Sequence, residues 1–459
     1  MTRHAPGNPA ARLDDTIVSL ATAPGRSAVA LIRMSGPRAF SIAARHVTPW
    51  STGPRAARLC AIHSDGEHLD QALVTVFPGP ESFTGDDVVE ISTHGGFLVP
   101  ASVIAALVSS GARQAYPGEF TRRAVLNGKL DLLQAEAIGD LIDARSHAMR
   151  RAALGQLDGG LSRRLLALRH DLIGLEALIA YDIDFPEEDD GPVPRERIDG
   201  AIRSLKQALE KLLATASVGE LIREGAVVVI AGAPNVGKSS LFNALIGRSR
   251  AIVTEFPGTT RDAIEAVIGG GSWPLRLVDT AGLRSSDDLV ERMGIEVSEQ
   301  YLSEAHVVLA CADDDGKLDQ TVSLVRARSS APVVPVRTKS DLVSSRDNPV
   351  LPAGAVPVSA EMGTGLQELL SAIDETLRAS QGEIEPDFPM LTNARHRQAI
   401  ETARLELVHF ERAWREENLP ATVASVHLRA AVVALEELVG SIDVEDVLDR
   451  MFSSFCVGK

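Results

Sequence analysis

The chain is 459 residues long, 45% hydrophobic and 24% charged, enough for two or three domains with real cores and ordinary for a soluble protein. Its net charge of −16 argues against tight unaided binding to a nucleic-acid backbone, so any RNA contact is expected to be local, transient or shared with a partner. No apolar run approaches the roughly 18 residues that a membrane span needs. Cys60, Cys311 and Cys456 lie too far apart for a zinc or redox spacing, which points to a reducing cytoplasm.

Residues 1–13 lack the apolar core of a secretory signal and read as a short disordered extension. From Asp14 to about Phe120 the β-like runs TIVSLA, SAVALIRM, ALVTVF and DVVEIS alternate with helical stretches at Pro37 to Arg45 and Phe97 to Leu107. Turn signals such as Pro24-Gly25 and Gly95-Gly96 separate them, so residues 14–120 are expected to form one α+β domain. Over 121–222 the pattern turns helical. Leu161, Leu165, Leu168, Leu172, Leu175 and Ile179 form one stripe, and Ile198, Ile202, Leu205, Leu209 and Leu212 another, each at helical spacing. The segment FPEEDDGPVP, Phe185 to Pro194, separates the two.

Residues 223–380 read as an α/β domain. The apolar run AVVVIA leads into GAPNVGKSS, Gly232 to Ser240, and then into the helical LFNALIG. In that context the G-x-x-x-x-G-K-[ST] pattern is a phosphate-binding loop: backbone N–H groups and the positive end of a helix dipole converge on a polyphosphate. Lys238 reaches the β- and γ-phosphates in this reading, and Ser239 holds magnesium. Thr254 to Asp262, TEFPGTTRD, is the expected mobile loop, with Thr260 as a second magnesium ligand and γ-phosphate sensor. LRLVDTAG follows, with Asp279 supporting the magnesium shell and Gly282 bringing a backbone donor to the γ-phosphate.

The base is read from VRTKSDL, where the Asp341 carboxylate accepts from both N1–H and the exocyclic amine of guanine, favouring GTP over ATP. The familiar motif begins with Asn; Thr338 stands there, a shorter group with fewer donors, which predicts weaker affinity. Lys339 lays its stem on the base, and Ser359-Ala360 complete the pocket. Leu283 occupies the position of the usual water-orienting Gln, so catalysis needs another group, and Glu291 is the candidate; a carboxylate in that acidic stretch also reads as solvated surface. Residues 381–459 return to helix, with stripes at Ile400, Ala403, Leu407, Phe410 and Trp414, and at Leu428, Val432, Leu435 and Val439. The economical architecture is one helical domain, 121–222 with 381–459, interrupted by the inserted α/β domain. Two unconnected bundles are the alternative.

With these residues in place, the chain resembles the MnmE (TrmE) family of tRNA modification GTPases over nearly everything from Asp14 to Lys459. The resemblance rests on DDTIVSLATAPGRSAVALIRMSGP, PGPESFTGDDVVEISTHGG, PGEFTRRAVLNGKLDLLQAEAIGDLIDA, IDFPEED, the GTPase elements and the terminal FCVGK. It implies an N-terminal folate-binding domain that dimerises, a discontinuous helical domain, and a P-loop GTPase switched by G-domain dimerisation. It also implies action with the FAD-dependent partner MnmG, in a heterotetramer-like complex, to install an aminomethyl or carboxymethylaminomethyl group at carbon 5 of the tRNA wobble uridine. The tRNA is shared with that partner, and the compartment is the cytoplasm.

The GTP-contacting set so implied is Asn235, Val236, Gly237, Lys238, Ser239 and Ser240; Thr254, Glu255, Phe256, Pro257, Gly258, Thr259 and Thr260; Asp279, Thr280, Ala281 and Gly282; Thr338, Lys339 and Asp341; and Ser359 and Ala360. Asn235, Thr254, Phe256 and Thr259 match the family's potassium ligands, and such a cation neutralises charge where an arginine finger acts elsewhere. Glu291 matches the water-activating glutamate, acting with Lys238 and Gly282. Arg33, Glu90, Lys129 and Lys459 match contacts to 5-formyltetrahydrofolate or a related reduced folate, although each singly also reads as a surface ion pair. Cys456 matches a near-terminal cysteine that equally fits a packing role. A regulatory switch for a ribosomal or signalling partner is the competing reading; the acidic flanks, with basic residues only modestly concentrated in Arg145 to Arg169, argue against it.

Overall fold

The computed structural model describes residues 14–50, 53–184, 193–248, 264–270, 273–279, 301–342, 354–381, 389–415, 421–440 and 458. These divide into two compact units, one drawn from 1–139 and 439–459, the other from 140–438.

The first unit contains β1 (Ile17–Leu20), β2 (Val29–Ser35), α1 (Ala39–Ala43), β3 (Val47–Thr48), β4 (Arg58–Ser64), β5 (Glu67–Phe77), β6 (Val88–His94), α2 (Leu98–Ser109), β7 (Arg113–Gln114) and α3 (Glu119–Leu126). The unit boundary falls within α4 (Leu132–Asp143). The strands form one seven-stranded sheet in the order β3-β4-β5-β6-β2-β1-β7, antiparallel except where β1 pairs with β7. Alternation sorts each strand's side chains between the two faces. Ile32, Met34, Val74 and Ile91 pack with Ile42 of α1 and with Val103 and Leu107 of α2, whereas Arg33 and Glu90 are cross-strand partners on the opposite face. Between β4 and β5 the turn residues Asp65 and Gly66 both have positive φ, 48° and 85°, as a tight two-residue hairpin requires.

The second unit opens with α5 (His147–Leu157), α6 (Gly160–Asp184), α7 (Arg195–Leu213) and α8 (Ala216–Glu224). It continues with β8 (Ala226–Gly232), α9 (Lys238–Arg248), β9 (Ile264–Gly270), β10 (Trp273–Asp279), β11 (Val307–Ala312), α10 (Asp315–Arg326), β12 (Val333–Arg337), β13 (Val356–Pro357) and α11 (Leu366–Gln381). It ends with α12 (Ala394–Arg415) and α13 (Ala421–Val439). The sheet order is β13-β12-β11-β8-β10-β9, parallel except for β9 against β10. Strand β8 is central and apolar on both faces because helices cover both. Val228 and Ile230 pack with Leu241 and Leu245 of α9 and Leu369 of α11, while Val227 and Val229 pack with Leu318 and Val322 of α10. The chain passes from β8 to β10 on one side and then to β11 on the other, so the crevice at the carboxyl end of β8 is a topological switch point, where open α/β sheets bind ligands.

The helical stripes are buried as spaced. Leu161, Leu165, Leu172, Ile179, Ile198, Leu209, Leu407 and Phe410 are each at most 1% exposed. Trp414 and Val439 are only half-buried, with Ala413 and Leu438 taking the core positions beside them. Helices that precede the α/β sheet in the chain meet those that follow it: Lys206 of α7 donates to Glu411 of α12 at 2.7 Å, and Arg169 of α6 to Glu436 of α13 at 2.6 Å. Among the described residues no helix is long and apolar enough to cross a membrane.

Candidate functional site

The loop from Gly232 to Gly237 leaves β8 and enters α9 with backbone angles its residues are suited to. Asn235 sits at φ 61° and Gly237 at φ 97°. The first is a left-handed conformation that Asn tolerates, the second one that glycine alone adopts freely. At Gly232 a Cβ would fall 2.3 Å from the Cys311 carbonyl, so β8 and β11 approach closely only because that residue is glycine. Lys238 opens α9 and is 7% exposed. Its ammonium donates to the carbonyls of Gly232 and Ala233, both at 2.9 Å. These bonds hold the cation over the loop, from which it can exchange carbonyls for phosphate oxygens. Asp279 ends β10, 1% exposed, beside Ile230 of β8 in register. Lys238 and Asp279 both act on Cys311, whose thiol is pushed up to about 12 by burial, with Lys238 opposing and Asp279 reinforcing. Cys311 is thus an inert packing group.

The segment expected to read the base is attached to this loop by side chains. Thr338 is 4% exposed, and its hydroxyl lies 2.6 Å from the Val236 carbonyl and 2.9 Å from that of Ala312. One hydroxyl proton serves either acceptor, and both tie β12 to the site. Lys339, at φ 53°, donates to the Asn235 carbonyl at 2.8 Å and reaches Asp313 at 3.3 Å. Asp341 follows in a short 3-10 turn, Ser340–Leu342, and is exposed. Ser359 is buried, its N–H donating to the Thr364 carbonyl at 3.0 Å and its hydroxyl accepting from the Met362 N–H at 3.1 Å. The Ser340 N–H donates to the Val358 carbonyl at 3.1 Å, so the two base-loop segments are joined. Gly365, at φ 77°, turns the chain where a Cβ would lie 2.0 Å from the Pro357 carbonyl.

Sequence reasoning passed over Asp313 at the end of β11. Burial opposes its ionisation, but hydrogen bonds from Lys317 and Lys339 hold its carboxyl below the ordinary carboxylate value. It anchors Lys339, and the run Asp313-Asp314-Asp315 was its only sequence signal. The expected residues Thr254, Glu255, Phe256, Pro257, Gly258, Thr259, Thr260, Thr280, Ala281, Gly282, Glu291, Cys456 and Lys459 lie outside the described residues.

In the first unit, Arg33 donates through Nε and Nη2 to one Glu90 oxygen, at 2.9 and 2.7 Å. Its guanidinium lies 5.6 Å from the Phe83 ring centre and 6.0 Å from that of Phe120. Lys129 is exposed just after α3. Arg33 and Glu90 are brought together, each already the partner of the other.

Comparison with known proteins covers both units. The family model described as "GTP-binding protein TrmE N-terminus" matches residues 16–129, and that described as "MnmE helical domain" matches 132–456. The tRNA modification GTPase MnmE of Moorella thermoacetica is 42% identical over 464 residues, covering 97% of this chain and 100% of the relative. Proteins of the same name are 39% identical over 466 residues in Desulforamulus reducens and 38% over 449 in Aquifex aeolicus, with the same shares covered. The G domain of the T. maritima FeoB iron transporter covers 33% of this chain and 98% of its own at 28% identity; its TM-score of 0.25 is too low to carry weight.

Proposed function

The chain belongs to the MnmE family of tRNA modification GTPases, and from that membership we propose that it hydrolyses GTP in the course of modifying tRNA. It is a GTP hydrolase. The observation that carries the nucleotide reading is the pair of hydrogen bonds from Thr338 and Lys339 to the carbonyls of Val236 and Asn235. They tie the segment that carries Asp341 to the Gly232–Gly237 loop, and this supports reading the first as the guanine-selecting segment and the second as the phosphate-binding loop. The loop N–H groups and Lys238 bind and orient the phosphates, and Gly237 lets the backbone approach them.

Magnesium suits this donor set. Ser239 lies in the first turn of α9 and Asp279 is a buried carboxylate at the end of the neighbouring strand; with Thr260 they would hold the ion, which would supply charge neutralisation at the phosphates. Potassium is the finer proposal, held by Asn235, Thr254, Phe256 and Thr259. It is supported by the left-handed Asn235 in the loop and by Leu283 in place of a water-orienting Gln. Glu291 is the proposed water-activating group.

We read the helices before and after the α/β domain as one discontinuous helical domain, supported by the Lys206–Glu411 and Arg169–Glu436 contacts. The domain limits 14–120, 121–222, 223–380 and 381–459 belong to the same proposal. A reduced folate held near Arg33, Glu90, Lys129 and Lys459, homodimerisation, the FAD-dependent partner MnmG and a cytoplasmic setting come from family membership. The chemistry of an arginine for carboxylates and a glutamate for a pterin's donor edge supports the folate reading. The proposed product is a wobble uridine carrying an aminomethyl or carboxymethylaminomethyl group at carbon 5. Mass spectrometry of tRNA from cells lacking this protein tests it: the modified wobble uridine is expected to disappear, and its persistence at the normal level overturns the assignment in favour of a regulatory switch.

A further inference from the structure

Outside the nucleotide site, α12 and α13 bring together three side chains that neither the family assignment nor GTP hydrolysis uses. Glu406 and His409 are three residues apart on α12, hence on one face and one turn, and His427 comes from α13. The His427 Nδ1 lies 2.7 Å from one Glu406 oxygen, and the His409 Nδ1 lies 3.9 Å from the other. The two imidazole rings meet edge to face, 5.4 Å between centres. One donor atom from each of the three residues falls within 4.8 Å of the other two.

We propose that Glu406, His409 and His427 form a binding site for a zinc-class divalent ion that ties α12 to α13. Two imidazoles and one carboxylate are a recurrent three-ligand set for zinc, which leaves a fourth position to water. Bond lengths of 2.0–2.2 Å around a tetrahedral ion place neighbouring donors about 3.3–3.6 Å apart. The contacts at 2.7 and 3.9 Å run to different Glu406 oxygens, and one donor atom from each ligand lies within 4.8 Å of the other two, so side-chain rotations that draw the three together by an ångström or so would close them on an ion. The helices that carry the ligands are already fixed: Leu407 and Phe410 flank the α12 ligands and Leu428 follows His427, all three at 0% exposure. The ligands themselves remain 23 to 45% exposed, which gives an ion a way in. Imidazole nitrogen favours zinc, nickel and copper over magnesium and calcium, so the site is chemically distinct from the magnesium position at the phosphates.

A simple interhelical hydrogen bond from His427 to Glu406 is the competing explanation, and substitution separates the two. His427→Gln keeps an N–H donor toward Glu406 but removes the imidazole ligand; His409→Ala leaves the 2.7 Å bond untouched. Untagged, metal-free full chain is titrated with zinc in excess magnesium, with binding read by competition with a zinc-sensitive dye. One ion per chain at micromolar affinity or tighter is expected. Losing an outer-shell partner costs up to 100-fold, so losing either direct imidazole ligand is expected to weaken binding by about 100-fold or more. Far-UV circular dichroism is expected to show both variants folded, and zinc to raise the melting temperature of the parent chain only. No stoichiometric zinc, binding only at millimolar zinc, or full affinity in both variants overturns the proposal. So does an X-ray absorption spectrum with sulfur ligands, which assigns the ion to a cysteine.

Discussion

Thr338 makes its contribution to the site through its hydroxyl, 2.6 Å from the Val236 carbonyl. The sequence predicts a weak substitute for asparagine there; the geometry gives this shorter side chain a buried link to the phosphate loop. Thr338→Val keeps the shape and removes the donor, leaving a buried carbonyl short of a partner. An unsatisfied group of that kind costs about 1–3 kcal/mol, and GTP affinity is expected to fall about tenfold for each 1.4 kcal/mol of it spent on displacing the loop. Titration with a fluorescent GTP analogue measures this, and unchanged affinity would show that the loop keeps its shape without Thr338. Asp341 acts differently, being exposed and free to meet a base edge. Asp341→Asn replaces an acceptor by an amide that donates to the extra carbonyl of xanthine. Loss of one charge-assisted bond, about 1.5–3 kcal/mol, corresponds to GTP binding weaker by about 10- to 150-fold. Turnover on xanthosine triphosphate is expected to overtake turnover on GTP. A variant that prefers GTP by the parental margin would remove Asp341 from base reading.

At the scale of elements, β1, β7 and α3 are joined by charge in the first unit. Arg113 donates to Asp15 at 2.8 Å and to Glu119 at 2.6 Å, while Arg123, 1% exposed, bonds Asp15 and lies 3.3 Å from Glu119. Burial opposes ionisation of Asp15, yet hydrogen bonds from Arg113 and Arg123 hold its carboxyl below the ordinary 3.8. A carboxyl depressed in the folded state contributes stability that is full above its unfolded value and lost as pH falls through the folded one. Asp86, 3.8 Å from Arg123, works the other way, its carboxyl pushed up by burial. Asp15→Asn is therefore expected to destabilise this unit by about 2 kcal/mol near neutral pH, with the gap narrowing only once pH falls below 3.8 and through the depressed folded value. Amide hydrogen exchange in peptides from β1 and α3 reports it; a gap independent of pH would show that the Asp15 charge contributes nothing. Sequence pattern revealed β1, β2, β5 and β6 because each carries a run of alternating or continuous apolar residues. It missed β4, where Cys60 and Ile62 alone are well buried among exposed Arg58 and Leu59, and the two-residue strands β3 and β7, which are too short for any period. The helix stripes were legible to within a residue, failing at Trp414 and Val439 because a bundle's edge lets either of two adjacent positions turn inward.

For the whole molecule, the turn from β8 into α9 was legible because it is local: successive residues, with Asn235 and Gly237 at positive φ, build it. The contacts to Asp313 and Thr338 were not, since they join segments far apart in the chain and only the sheet order brings them together. The potassium proposal depends on such an assembly. Hydrolysis by the full chain is expected to run faster in potassium than in sodium at equal ionic strength, and Asn235→Ala to erase the difference; equal rates in the parent chain would remove the cation from the reaction.

The folate proposal belongs to the other compact unit and faces a competition that the structure makes explicit. Arg33 spends two N–H groups on one Glu90 oxygen, so an anionic ligand must take over part of that pair or use the remaining guanidinium donors. A charge-assisted bond to Arg33 is worth about 1.5–3 kcal/mol, and Arg33→Ala is expected to weaken 5-formyltetrahydrofolate binding by about 10- to 150-fold in calorimetry. GTP hydrolysis is expected to stay within about twofold, because Arg33 and the Gly232–Gly237 loop belong to different compact units and effects at sites with no shared partners are independent. Parental affinity in Arg33→Ala, or no binding by the intact chain, would leave the Arg33–Glu90 pair as a cross-strand ion pair that holds β2 against β6.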